Sequence, residues 1–88
     1  MKVQGMIYEP MPMGGVRGEV IELEREDYIA LVDALEVRQE MTRRHRAERA
    51  EMALDSVTLK EKLDVLARHR VEVQEITARV NAIKGRAV

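Results

Sequence analysis

Histidine and glutamate recur at one spacing in this sequence: Glu48 lies three residues after His45, and Glu72 three after His69. On a helix, side chains at i and i+3 share a face. Two such pairs on facing helices would offer two imidazole nitrogens and two carboxylates, a donor set that suits Zn or another divalent ion. Helix-bundle carboxylate metal sites follow a related logic, with Glu ahead of His and more carboxylates. The plainer reading is that charged residues crowd this stretch, and His-x-x-Glu pairs arise there as solvated surface pairs. Nothing in the sequence turns either ring inward. No metal and no cofactor is therefore expected, and His45, Glu48, His69 and Glu72 are the residues to watch if that expectation fails.

The run Arg43-Arg44-His45-Arg46, with Arg49 beyond it, suggests a second chemistry, because phosphate contacts need clustered cations. Glu40, Glu48 and Glu51 are interleaved, however, and residues 28–53 carry five positive against five negative side chains. A dedicated nucleic-acid face shows a basic excess. With Tyr8 and Tyr28 as the only aromatics, no stacking platform for single strands is present either. A dimeric nucleic-acid-binding protein using Arg43, Arg44, Arg46 and Arg49 remains the alternative, behind a solvated, ion-paired helix face.

The opposite charge collects at Glu19, Glu22, Glu24, Glu26 and Asp27. Acidic rows dock on basic partners or simply keep a surface soluble. Beside them, Met6, Met11 and Met13 flank two prolines, and methionine adapts to irregular apolar grooves. Met6, Tyr8, Met11, Met13, Glu19, Glu22 and Glu24 are accordingly the candidate partner-binding residues. Catalysis finds little support. Cysteine is absent, Ser56 is the lone serine, and Gly14-Gly15-Val16-Arg17-Gly18 lacks the Lys-Ser/Thr that completes a phosphate loop.

These groups must be positioned by elements that the breakers delimit. All five glycines and both prolines fall in residues 1–18 or at Gly85, leaving residues 19–84 free of both. Such a stretch, rich in Glu, Arg, Ala and Leu, predicts helix. Residues 1–24 read as an extended or β-like arm, with strands near 2–8 and 16–24. The connection is long for a tight hairpin, and a tail ordered by a partner is the alternative. A helix is expected from about 25 to 54, and Thr58-Leu59-Lys60-Glu61 matches a capping box that starts a second, about 58–84.

The fold expected is thus mainly α: an antiparallel helical hairpin, residues 25–88, behind an N-terminal arm, residues 1–24. Folding about Val57 sets Leu31 and Leu35 near Val80 and Ile83, and Ala50 and Leu54 near Leu59, Leu63 and Leu66. A polar belt containing both histidines falls between. The rival is one continuous helix of about 60 residues, roughly 90 Å long, but Arg38, Thr42, His45 and Arg49 interrupt any heptad seam it would need.

Composition bounds the rest. The chain has 88 residues, 35% of them charged, with a net charge of −1, so one domain is the limit and its core is small. Without cysteine for staples, such a chain is expected to associate, as a homodimer or higher oligomer forming a bundle or coiled coil. Its core would use Leu31, Leu35, Leu59, Leu63, Leu66, Val73, Ile76, Val80 and Ile83. No apolar run suits a membrane span or a signal peptide, so a cytoplasmic protein with no membrane partner is expected. Eleven Arg against four Lys points to a GC-rich coding sequence, such as that of a bacterium or its phage. The functional expectation is a small non-enzymatic protein-interaction module: an inhibitor, adaptor or accessory factor that works by oligomerisation and surface docking. An elongated coiled-coil structural protein is a further alternative.

Overall fold

Backbone punctuation divides the chain into two strands followed by two helices. The computed structural model describes residues 1–87 as β1 (Lys2–Pro10), β2 (Val16–Glu24), α1 (Arg25–Met52) and α2 (Leu59–Lys84). Residue 88, the last of the expected helical unit, lies outside the described residues.

The N-terminal arm is an antiparallel β-hairpin whose register runs from Lys2 opposite Glu24 to Pro10 opposite Val16. Its connection closes because Gly14 and Gly15 take φ of 87° and 83°, a left-handed region open to glycine. The Gly14 N–H then donates to the Met11 carbonyl at 3.0 Å, and the Met11 N–H to the Gly15 carbonyl at 3.2 Å. Alternation assigns Val3, Gly5 and Ile7 to the same face as Leu23, Ile21 and Glu19. That face turns inward, with Ile7, Ile21 and Leu23 buried. The other face leaves Met6, Tyr8, Val16 and Val20 exposed. Glycine is required at position 5, where any side chain would overlap the Tyr28 ring of α1 lying across the strand.

Helix α1 follows β2 without a linker. Glu24 occupies the N-cap but makes no capping bond; its carboxylate meets the Met1 ammonium at 3.3 Å instead. The Arg25 N–H donates to the Met1 carbonyl at 3.1 Å, so the chain terminus takes over part of the cap. Leu31, Ala34, Met41 and His45 are buried at helical spacing. The helix ends at Met52, slightly before the expected boundary, as Ala53 and Leu54 tighten into bonds to the carbonyls of Ala50 and Glu51. Thr58 then caps α2, its hydroxyl accepting the Glu61 N–H at 3.2 Å, as the capping box predicts.

The helices form an antiparallel hairpin, so the continuous 60-residue helix is not formed. Arg79–Asp33 at 3.1 Å and Arg86–Asp27 at 2.9 Å tie them together near the sheet. A single apolar cluster joins the arm and the helices: Ile7, Ile21 and Leu23 from the sheet, Leu31, Ala34 and Met41 from α1, and Ile76, Val80 and Ile83 from α2. The buried cluster stops at the level of His45 and His69. From residue 46 to residue 68 no side chain is buried. The molecule is elongated, 54 × 23 × 16 Å, and its core lies at one end.

Candidate functional site: a histidine clasp and a basic groove

His45 and His69 meet face to face between the helices. Their ring centroids lie 3.7 Å apart with planes 12° from parallel, and both residues are buried. Each imidazole reaches the glutamate of the opposite helix. His45 Nε2 lies 3.0 Å from Glu72 Oε2, and His69 Nε2 lies 3.5 Å from Glu48 Oε1. Arginines repeat the crossing: Arg44 donates to Glu72 at 3.1 Å, and Arg68 donates to Glu48. The two halves are unequal. At 3.5 Å the His69 contact falls short of a hydrogen bond and leaves His69 Nε2 buried without a partner.

The local symmetry originates in the sequence. Arg44-His45-Arg46-Ala47-Glu48 and Arg68-His69-Arg70-Val71-Glu72 differ at one position in five. Antiparallel helices carrying near-identical pentapeptides at the same level acquire a local twofold, in which the first Arg and the His of each copy approach the Glu of the other. This repeat is the signal that would have revealed the clasp. Sequence reasoning paired each histidine with the glutamate on its own helix; the structure brings all four residues together with crossed partners. Glu72 is held below the ordinary glutamate range, first by its hydrogen bond from His45 and then by the nearby charges of His45 and Arg44, against some desolvation. Stacked rings send their Nε2 atoms to separate carboxylates, so the four donors have no common centre. Among the described residues no three His, Asp or Glu side chains are arranged to hold a metal ion.

The other sequence candidates separate. Arg44 is engaged in the clasp, and Arg43 lies 3.6 Å from Glu40. Arg46 joins Arg38 and Arg43 along a different face of α1, while Arg49 lines a distal hollow with Met52, Lys62 and Leu66. Of the Arg43–Arg49 run, Arg43 and Arg46 thus share one groove, and Arg44 and Arg49 lie outside it. Of the partner-binding candidates, Met11 and Met13 are exposed in the hairpin connection, Met6, Tyr8 and Glu22 lie on its outer face, and Glu24 is at the helix cap. Glu19, on the inner face, lies 3.8 Å from Lys84.

Lys84 also pairs closely with Glu9, whose carboxylate stands 4.0 Å from Arg38. Glu9 thereby links the hairpin to both helices, and the Lys84 hydrogen bond is the largest influence lowering its pKa. Beside it, Met6, Ile7 and Tyr8 of β1 and Leu35, Arg38, Thr42, Arg43 and Arg46 of α1 line an open groove of about 660 Å³.

The oligomer-core candidates divide into two sets. Leu31, Ile76, Val80 and Ile83 belong to the core of the single chain, with Leu35 packed against it. Leu59, Leu63, Leu66 and Val73 are exposed. No helix among the described residues is long and apolar enough to cross a membrane. No family model, curated protein or solved structure matches the chain.

Proposed function

We propose that this chain is a small non-enzymatic protein-interaction module that self-associates through the distal half of its helical hairpin, presenting its β-hairpin end to a partner. The observation that carries this reading is the uncovered stripe on α2. Leu59 is 72% exposed and Leu63 56%, and Leu66 and Val73 continue the row. Residues 59, 63, 66, 70 and 73 follow the four-three alternation of a coiled-coil seam. Leu54, in the turn, adds to the same end.

A second copy is the occupant that suits this stripe. The exposed leucines and valine offer on the order of 500 Å² of apolar surface, and two copies together reach the roughly 1,000 Å² that a specific interface requires. Pairing the two hairpins gives a four-helix arrangement in which each α2 stripe covers the other. Arg70 interrupts the seam, and a polar residue at such a position fixes register and oligomer state at some cost in stability. Such an arrangement would suit a broader role as an inhibitor, adaptor or accessory factor, with the distal half setting valency while the proximal half docks.

Sedimentation equilibrium of the full chain, at micromolar to millimolar concentrations, tests the proposal. The expected result is a reversible dimer or higher oligomer that Leu63→Glu with Leu66→Glu converts to monomer without loss of helicity. A wild-type chain that stays monomeric throughout would overturn it.

A further inference from the structure

We infer that the groove between β1 and α1 receives an extended, acidic segment of a partner protein, which adds to the hairpin as a third strand. The inference deepens the proposed function by naming the chemistry of the docked partner.

The first support is geometric. Met6, Ile7 and Tyr8 are consecutive, and all three line the groove. Successive side chains of a strand point to opposite faces, so three neighbours share one groove only when the strand's edge borders it. The sheet has two strands in the order β1-β2, which leaves one edge of β1 without a neighbour. An unpaired edge carries backbone N–H and C=O groups in a row, and extended peptides bind by supplying the missing ladder.

The second support is charge. Opposite the edge, α1 contributes Arg38, Arg43 and Arg46, and no β2 carboxylate lines the groove. Arg38 and Arg43 have only long contacts, 4.0 Å to Glu9 and 3.6 Å to Glu40, and Arg46 has no carboxylate partner among the described residues. Leu35 and the exposed rings and thioethers of Tyr8 and Met6 supply apolar contact beside those cations. From Leu35 to Arg46 the helical wall runs about 16 Å, matching about five extended residues. A peptide that alternates acidic and apolar side chains meets the arginines with one face and Tyr8, Met6 and Leu35 with the other. A single-stranded nucleic acid would use the arginines but would leave the strand edge unpaired, and only one aromatic ring is available for stacking.

The test uses an eight-residue capped peptide alternating Glu and Val, titrated into the full chain by calorimetry and followed by amide chemical shifts. Binding is expected to perturb Met6, Ile7, Tyr8 and the 35–46 stretch of α1. It should weaken at least tenfold with Arg43→Glu and Arg46→Glu, and equally when alternate peptide nitrogens are methylated, a change that removes ladder hydrogen bonds and leaves charge intact. Replacing the peptide's Glu by Gln should also weaken binding tenfold. Absence of peptide binding, insensitivity to methylation, or preferential binding of an oligothymidylate would each overturn the inference. Sedimentation of the same samples separates the two proposals: a wild-type chain that stays monomeric yet binds the peptide leaves the groove standing alone, and an oligomer that binds no peptide leaves the self-association standing alone.

Discussion

The two ends of the helical hairpin differ less in amino-acid content than in what lies beside them. Near the sheet, even Ala34 is fully buried, whereas leucines at 59, 63 and 66 stand in solvent at the other end. Proximally, the β-hairpin gives the helix pair a third layer, and Ile7, Ile21 and Leu23 close over Leu31, Val80 and Ile83. Distally, two helices face each other alone, and α1 offers Ala47, Arg49 and Ala50 where large apolar side chains would be needed. Two helices have one line of contact, so apolar side chains away from that line stay wet until another layer arrives. The histidine clasp marks the boundary, and it is polar on both sides because neither end extends its core through it.

This contrast can be broken most strongly at Leu31. Leu31→Ala should cost about 2–5 kcal/mol, a large part of the roughly 4–13 kcal/mol available to a domain of this size, whereas Leu63→Ala should stay within about 0.5 kcal/mol when the chain is monomeric. Urea titrations at low concentration compare them directly. Equal costs would mean that the distal half is packed within one chain.

A smaller effect, about 1–3 kcal/mol, is expected of Gly5→Ala, because the new methyl group drives Tyr28 from its place on the strand. Combined with Tyr28→Ala, the cost should fall short of the sum of the single changes, as shared space dictates. Smaller again is Thr58→Ala, which removes the cap from the distal end of α2 and should cost about 1 kcal/mol.

Acid provides the gentlest probe. Glu9 and Glu72 are both held below their ordinary range by their partners, Lys84 and His45 first. Their contribution is complete above the unfolded-chain value, near pH ~4.3, and is lost as the pH falls through the lower folded value. The urea midpoint should therefore decline below about pH 4.3, and the decline should be shallower in Glu9→Gln for the proximal end and in Glu72→Gln for the clasp. Identical slopes in wild type and variants would remove these pairs from the account.

Much of the architecture is legible in the sequence. The breaker-free stretch beyond Arg25 points to helix, and the Thr58–Glu61 box sets where α2 begins, because capping is decided within one turn of chain. Folding about Val57 followed from matching apolar ends, and His45 and His69 do share a level. The hairpin was only half legible, since its long connection closes through the positive φ of Gly14 and Gly15 together with bonds inside the loop. For the candidate site, the histidines and glutamates could be named, but not their exchange of partners, which depends on two copies of one pentapeptide facing each other. The groove could not be read at all: Tyr8 and Arg46 are far apart in sequence, and only the packing of β1 beside α1 joins them.

The sequence by itself determined the local matters: where each helix starts and stops, which residues alternate on the strands, and which charges and leucines recur at helical spacing. These depend on neighbours within a few residues. The tertiary structure alone decided which leucines are core and which are surface, because burial depends on what lies across the gap. One stripe of similar residues on α2 is sealed beneath the sheet at Ile76, Val80 and Ile83 and left open at Leu59, Leu63 and Leu66. The reach of a nine-residue β-hairpin strand, and nothing in the α2 pattern, sets the dividing point.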